Sequence, residues 1–309
     1  MAMANLNAVW PCAILYTMGE QTQGKLNWLQ HHLPEGLVVD AVWLEARGYS
    51  RALRSKYATR GWLEQVARGV YRRPPAPLPA PSEDERLRWQ HVVISLQTLL
   101  EHQLVVGGRT ALELQGFAHY LSATGPREVH LYGDKPPPGW VGRLALDAKF
   151  VFHSERRLFR SAPIARGLSA LNVNLLTDEE TSIDALHGGL VRQSWGHWDW
   201  PLTMSSPERA ILELLGEVPQ RETFHQADML MEGLRTLSPR RLNKLLADCR
   251  SVKVKRLFLW FAERHGYRWL NQIDRNAIDL GRGKRMLVRG GKLDPKFNIT
   301  VPENLDAGG

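Results

Sequence analysis

The chain has 309 residues, 43% hydrophobic and 23% charged, enough apolar material for a buried core and too much for a disordered chain. Its two cysteines, Cys12 and Cys249, lie far apart and lack C-x-x-C or His-x-His company. Neither a disulfide framework nor a zinc site is expected, and the reducing cytosol is the natural setting.

The net charge of +8 is unevenly spread. Residues 1–75 hold nine Lys and Arg against five Asp and Glu, residues 76–236 hold 15 against 20, and residues 237–297 hold 16 against five. Two basic ends around an acidic middle favour a polyanionic partner, because basic segments release counterions from phosphate backbones whatever their fold. No run approaches the ~18 consecutive apolar residues of a membrane span, so no membrane partner is expected.

Residues 1–22 read as an N-terminal extension. The apolar residues Val9, Trp10 and Ala13 to Leu15 are interrupted by Pro11 and preceded by no Lys or Arg, which is not the form of a secretory signal. From Lys25 the spacing of Leu26, Leu29 and Leu33 predicts a first helix with one buried stripe. A second short helix fits Asp40 to Ala46 with Asp40 as N-cap, and Gly48 supplies a turn. Ser50 then caps a third helix, Arg51 to Arg60, which Gly61 ends. Helix, glycine turn, helix is the order of a DNA-binding helix-turn-helix.

At 100° per residue, Leu53 and Tyr57 share one face of the third helix, Arg51, Ser55 and Ala58 lie opposite, and Arg54 falls about a quarter-turn from Leu53. Arginine donates two hydrogen bonds to guanine, so Arg51, Arg54 and Ser55 are the base-edge candidates. Lys56, Thr59 and Arg60 suit phosphates. Two short extended runs, Trp62 to Val66 and Val70 to Arg73, flank Ala67-Arg68-Gly69 and predict a hairpin wing. Arg68 stands at its tip, with Arg72 and Arg73 as further phosphate or wing contacts.

Five prolines among residues 74–81 predict an extended linker, assigned to 76–82, between a winged helix-turn-helix domain at 23–75 and the larger remainder of the chain. Ser82, Glu83 and Glu85 read as a helix start leading to Leu104, and a further helix is expected from Gly107 to Leu121. Val129 to Tyr132 and Phe150 to Phe152 read as strands, so region 83–236 is mixed α and β. Ser206-Pro207 and Ser238-Pro239 open two more helices. The region 237–305 is basic and ends in a hairpin, Met286 to Pro302, turned at Gly290-Gly291.

The string Gly61 to Tyr71, following a winged helix and preceding a proline linker, resembles the N-terminal domain of AbiEi antitoxins. Ser206 to Leu215 and Gly283 to Gly291 extend the resemblance over most of the chain, from about Gln23 to Pro302. The first twenty residues depart from it, and Met18 is an alternative start. The resemblance implies an α+β chain, a winged helix-turn-helix followed by a larger mixed α/β antitoxin domain. It implies autorepression through inverted repeats in double-stranded promoter DNA. It also implies neutralisation of a nucleotidyltransferase-like toxin encoded alongside, without a stable complex. The alternatives are a nucleic-acid-acting enzyme targeted by the winged helix, and a protein-interaction adaptor.

Lys253, Lys255 and Arg256, with Lys284, Arg285 and Arg289, form a candidate second basic surface; the bland reading is a solvated charged face. Gly281-Arg282-Gly283-Lys284 and Gly107-Gly108-Arg109-Thr110 could turn backbone N–H groups towards a phosphate, but neither has P-loop or dinucleotide spacing. His197 and Asp199, within Trp195 to Trp200, lack a third ligand or nucleophile, and His31-His32 lacks a metal partner. Aromatic packing is the better reading of the tryptophan-rich run. No active site, metal or cofactor is assigned, and the chain is not expected to be an enzyme.

Overall fold

The computed structural model describes residues 24–74, 86–117, 126–160, 189–196, 199–303 and 305. The N-terminal extension with Met18, the linker beyond Pro74, the Ser82 start signal and His197 lie outside the described residues. The chain divides into two compact units, Met1–Asp84 and Glu85–Gly309.

The first unit contains α1 (residues 24–32), β1 (Val38–Asp40), α2 (Ala41–Ala46), α3 (Arg51–Thr59), β2 (Glu64–Ala67) and β3 (Val70–Arg72). Leu29 and Leu33, one helical turn apart, are fully buried with Leu44, Tyr57 and Val70. Asp40 accepts from the Trp43 N–H at 2.8 Å and so caps α2. Gly48 takes φ +81, which turns the chain, and the Ser50 hydroxyl accepts from the Leu53 N–H to start α3. The hairpin β2–β3 turns at Arg68 and Gly69. It is joined by β1, giving an antiparallel sheet of order β1-β3-β2 with Val39 opposite Tyr71. Three residues of strand before α2 were too short a run to stand out in the sequence. The order of elements is the one the winged-helix expectation requires.

Among the described residues the second unit is built on a five-stranded mixed sheet of order β6-β5-β4-β8-β7. Its strands are β4 (Leu104–Val106), β5 (Glu128–Gly133), β6 (Lys149–Ser154), β7 (Leu190–Trp195) and β8 (Trp200–Ser205). β4 pairs antiparallel with β5 and parallel with β8; β5 pairs parallel with β6; β7 and β8 form a hairpin. The helix expected up to Leu104 is shorter, α4 (Trp89–Thr98), and Leu104 opens a central strand. A continuous apolar run hides that change, because a fully buried strand carries no alternation. The helix expected to reach Leu121 ends early, as α5 (Gly108–Leu114), where Gly116 takes φ +82.

Further helices among the described residues are α6 (Pro207–Glu217), α7 (Phe224–Gly233), α8 (Pro239–Asp248) and α9 (Val252–His265). α6 sits at the centre, packed on α5, α7, α8, α9 and β8. Pro207 opens it as expected, but Ser206 does not cap it: the Ser206 hydroxyl is buried without a partner among the described residues. The closing hairpin is β9 (Lys292–Asp294) with β10 (Ile299–Val301). It turns at residues 295–298, where Asn298 takes φ +52, rather than at Gly290-Gly291. Among the described residues no helix is long and apolar enough to cross a membrane.

Candidate nucleic-acid interface

Helix α3 exposes one stripe and buries the other. Arg51, Ala52, Ser55, Lys56, Thr59 and Arg60 are exposed, while Arg54 and Tyr57, one turn apart, face inwards. Arg51, Ser55 and Lys56 thus occupy the face assigned to DNA, with the Thr59 hydroxyl donating to the Ser55 carbonyl at 3.0 Å. The Arg60 guanidinium lies 5.3 Å from the Trp62 ring centroid, which holds it at the end of the helix where the wing begins. Arg68 is exposed in the wing turn.

Arg54 belongs elsewhere, and its assignment to a base edge is corrected. It is 4% exposed and donates to the Tyr49 carbonyl at 2.7 Å and to Glu45 at 2.7 Å. Burial alone would lower its pKa, but the Glu45 carboxylate outweighs that and holds the guanidinium charged. The side chain therefore ties α3 to both α2 and the intervening turn. Lys25 reinforces the same turn by donating to the Gly48 carbonyl at 2.7 Å, and the Tyr49 hydroxyl returns a bond to the Lys25 carbonyl at 2.8 Å. The sequence signal for Arg54 was its three-residue spacing from Tyr57, which outweighs its charge once Glu45 is a partner.

Two wing candidates are likewise neutralised within the unit. Arg72 makes a two-point contact with Glu64, its cross-strand neighbour, at 2.7 and 2.9 Å. Arg73 donates to Glu35 at 2.8 Å and to the Gln30 carbonyl at 2.7 Å, tying the end of the hairpin to α1. Neither is a free cation for phosphate. His32 stacks on Trp28 at 4.2 Å and hydrogen-bonds the Trp28 carbonyl, a packing role. Val42, an apolar residue of α2, is 71% exposed, unlike its neighbours Trp43 and Leu44, which are buried.

In the second unit half of the expected basic surface is internal. Lys255 and Arg256 are each 2% exposed. Lys253 donates to the Gly216 and Val218 carbonyls at 2.6 and 2.7 Å, satisfying the C-terminal end of α6, and burial lowers its pKa. Arg256 gathers the Leu280, Gly281, Gly283 and Asn298 carbonyls. These three are corrected to structural residues, because Lys255 and Arg256 are buried and the half-buried Lys253 spends its ammonium on two carbonyls. Lys284, Arg285 and Arg289 are exposed.

The Ser206 to Leu215 motif is also internal. Arg209, fully buried, donates to Glu213 at 2.8 Å and Glu155 at 3.2 Å, its guanidinium 4.6 Å from the Phe159 ring centroid. Glu213 further accepts from the Ser205 hydroxyl and from the Gly108 N–H. The Gly108 amide is therefore spent on a protein carboxylate. Glu208 accepts from Arg241 at 2.7 Å and from the Ser238 N–H at 2.8 Å, fixing the start of α8.

A second polar chain runs from Glu217 to His153 at 3.1 Å and from His153 to His130 at 2.9 Å, with Tyr132 stacked on His153. Burial, then the neighbouring His153, pushes the His130 pKa down to about 4. Among the described residues no group of three or more His, Cys, Asp and Glu is arranged to hold a metal. Trp195 and Trp200 pack around His91 at 5.0 and 5.2 Å, the aromatic packing expected of that run.

Three helices with a hairpin and one cationic helix face among the described residues of the first unit, preceding a larger mixed α/β unit, have the organisation of a transcriptional regulator. Comparison with known families places it more closely. Residues 22–123 match the family described as "Transcriptional regulator, AbiEi antitoxin N-terminal domain", and residues 157–302 match "Transcriptional regulator, AbiEi antitoxin, Type IV TA system". The chain belongs to the AbiEi antitoxins, transcriptional regulators of type IV toxin-antitoxin systems. None of the curated proteins compared matches it. Among solved structures, the crystal structure of the RV2827C protein from Mycobacterium tuberculosis is similar. It is 14% identical with a TM-score of 0.47, and the match covers 91% of this chain and 90% of that one.

Proposed function

We propose that the chain represses its own promoter by placing α3 in the major groove of double-stranded DNA carrying inverted repeats, with Arg51 and Ser55 reading base edges. Lys56, Thr59, Arg60 and the wing residue Arg68 contact phosphates. The observation that carries this reading is the continuous polar stripe of α3, exposed on a helix whose opposite face is clamped by Arg54 and Tyr57. Residues 23–75 serve as the DNA-binding domain and the remainder as the effector. Its antitoxin role is exercised against a nucleotidyltransferase-like toxin encoded alongside, without a stable complex; the type IV family supports that half of the reading.

Footprinting the upstream promoter with the full chain should protect paired inverted repeats. Arg51→Ala should weaken operator binding by about 1 to 3 kcal/mol while leaving random DNA nearly unaffected. Equal losses on both DNAs would assign Arg51 to the backbone. Co-expression with the adjacent toxin gene should restore growth, and failure to do so would remove the antitoxin half.

A further inference from the structure

Segment 281–292 keeps its cations at the surface. Arg282, Lys284, Arg285, Arg289 and Lys292 are all exposed. Among the described residues Arg282, Lys284, Arg289 and Lys292 have no acidic partner. The backbone of the same segment is polarised. Arg256, buried beneath it, draws the Leu280, Gly281 and Gly283 carbonyls inwards at 2.8, 3.1 and 2.7 Å. Gly281 and Gly283 take φ +62 and +78, the left-handed turns that this gathering needs. The N–H groups of Arg282, Gly283 and Lys284 then have no acceptor among the described residues.

Across a trans peptide, the inward carbonyls of Gly281 and Gly283 turn the Arg282 and Lys284 N–H groups outward, and with the flanking cations they offer a surface suited to phosphate. Asp279, which accepts from the Gly281 N–H at 2.8 Å, is the acidic group at its edge and is already engaged. The anchor is built into the fold, since Arg285 pairs through its backbone with Asn298 and Thr300 beside β10.

We infer that segment 281–292 binds the phosphate backbone of double-stranded DNA, independently of α3 and without reading sequence. A string of phosphates matches this segment better than a single anion does, because the five cations are distributed over eleven residues. Duplex DNA is the phosphate polymer at hand for a transcriptional regulator.

The test uses the full chain with α3 and the wing disabled by Arg51→Ala, Lys56→Ala and Arg68→Ala, titrated with a random-sequence 20-base-pair duplex over a range of salt. Adding Arg282→Gln, Lys284→Gln and Arg289→Gln should flatten the logarithmic salt slope by about 2.7, at roughly 0.9 per phosphate contact. A control with Arg240→Gln, Lys244→Gln and Arg268→Gln removes the same charge from another exposed surface and should leave the slope unchanged. Hydrogen exchange on the unmodified chain gives a readout that needs no variant to fold: the Arg282, Gly283 and Lys284 amides should slow when the duplex is added. Equal flattening in both triple variants, unslowed amides, or binding of an RNA duplex in place of the DNA would each overturn the proposal.

Discussion

Replacing Arg54 by alanine separates building the recognition helix from reading DNA with it. The guanidinium is 4% exposed and makes its two strong contacts to the Tyr49 carbonyl and to Glu45. Loss of a fully buried ion pair costs about 3 to 5 kcal/mol, but the Glu45 side chain is 57% exposed and rehydrates, so most of that figure does not apply. The remaining cost is one unsatisfied carbonyl, at about 1 to 3 kcal/mol, and the cavity left by the side chain. We expect about 2 to 3 kcal/mol of destabilisation in the first unit, a lowering of its melting midpoint by roughly 8 to 24 °C. Arg51→Ala, at an exposed position, should stay within about 0.5 kcal/mol of the parent. The assay is hydrogen exchange of the α3 amides on heating, paired with titration of operator and random DNA at one salt concentration. An Arg54→Ala chain of parental stability that has lost operator discrimination would refute the structural assignment and return Arg54 to the base edge.

The second unit offers further tests. The His130 imidazole takes up a proton near 6.5 when unfolded and only near 4 in the fold, so below about pH 6.5 the unfolded state holds the extra proton. Stability should therefore fall by about 3 kcal/mol between pH 7 and pH 4 on this account, and His130→Asn should flatten that part of a pH series of urea melts. A slope identical in the variant would sink the attribution. Lys253→Ala should destabilise the unit by about 2 kcal/mol, because two carbonyls lose a charged donor, while leaving the salt slope of DNA binding unchanged. A changed slope would put Lys253 back at the surface. Gly107→Ala would set a Cβ 2.3 Å from Glu213 and 2.4 Å from Tyr132, so a loss of about 1 to 3 kcal/mol is expected in denaturant titration. Full stability would show that this junction is looser than its geometry.

Local signals were legible wherever the chemistry is local. Asp40 and Ser50 cap their helices through their own side chains, Gly48 turns the chain, and Arg68-Gly69 closes the hairpin, all within four residues of the signal. The features that escaped the sequence depend on distant partners. β4 is a three-residue strand made stable only by β5 and β8 on either side, 25 and 98 residues away between Val106 and its partners Leu131 and Met204. Arg54, Arg72 and Arg73 each look like DNA contacts until Glu45, Glu64 and Glu35 are found beside them. A helical projection assigns a face but does not know which face meets a carboxylate.

Distant pairing also changes the meaning of the charge distribution. The acidic middle and the basic end of the chain meet within one unit. Arg241 pairs with Glu208, and Arg264 and His265 with Asp228. Arg275 and Lys296 share Glu263, and Lys253, Lys255 and Arg256 are turned into the fold. Much of the surplus over residues 237–297 is thus a folding device that holds α8 and α9 to α6 and α7. Coulomb attraction between exposed charges fades over about 10 Å at 0.1 M salt, so a cation already beside a carboxylate contributes little to a distant phosphate. Among the described residues, the α3 stripe and segment 281–292 are two places where several exposed cations lie close in sequence with no carboxylate paired to them. Overall basicity is consequently a poor guide to binding by this chain, and substitutions at those two places should change salt dependence far more than equal changes of net charge elsewhere.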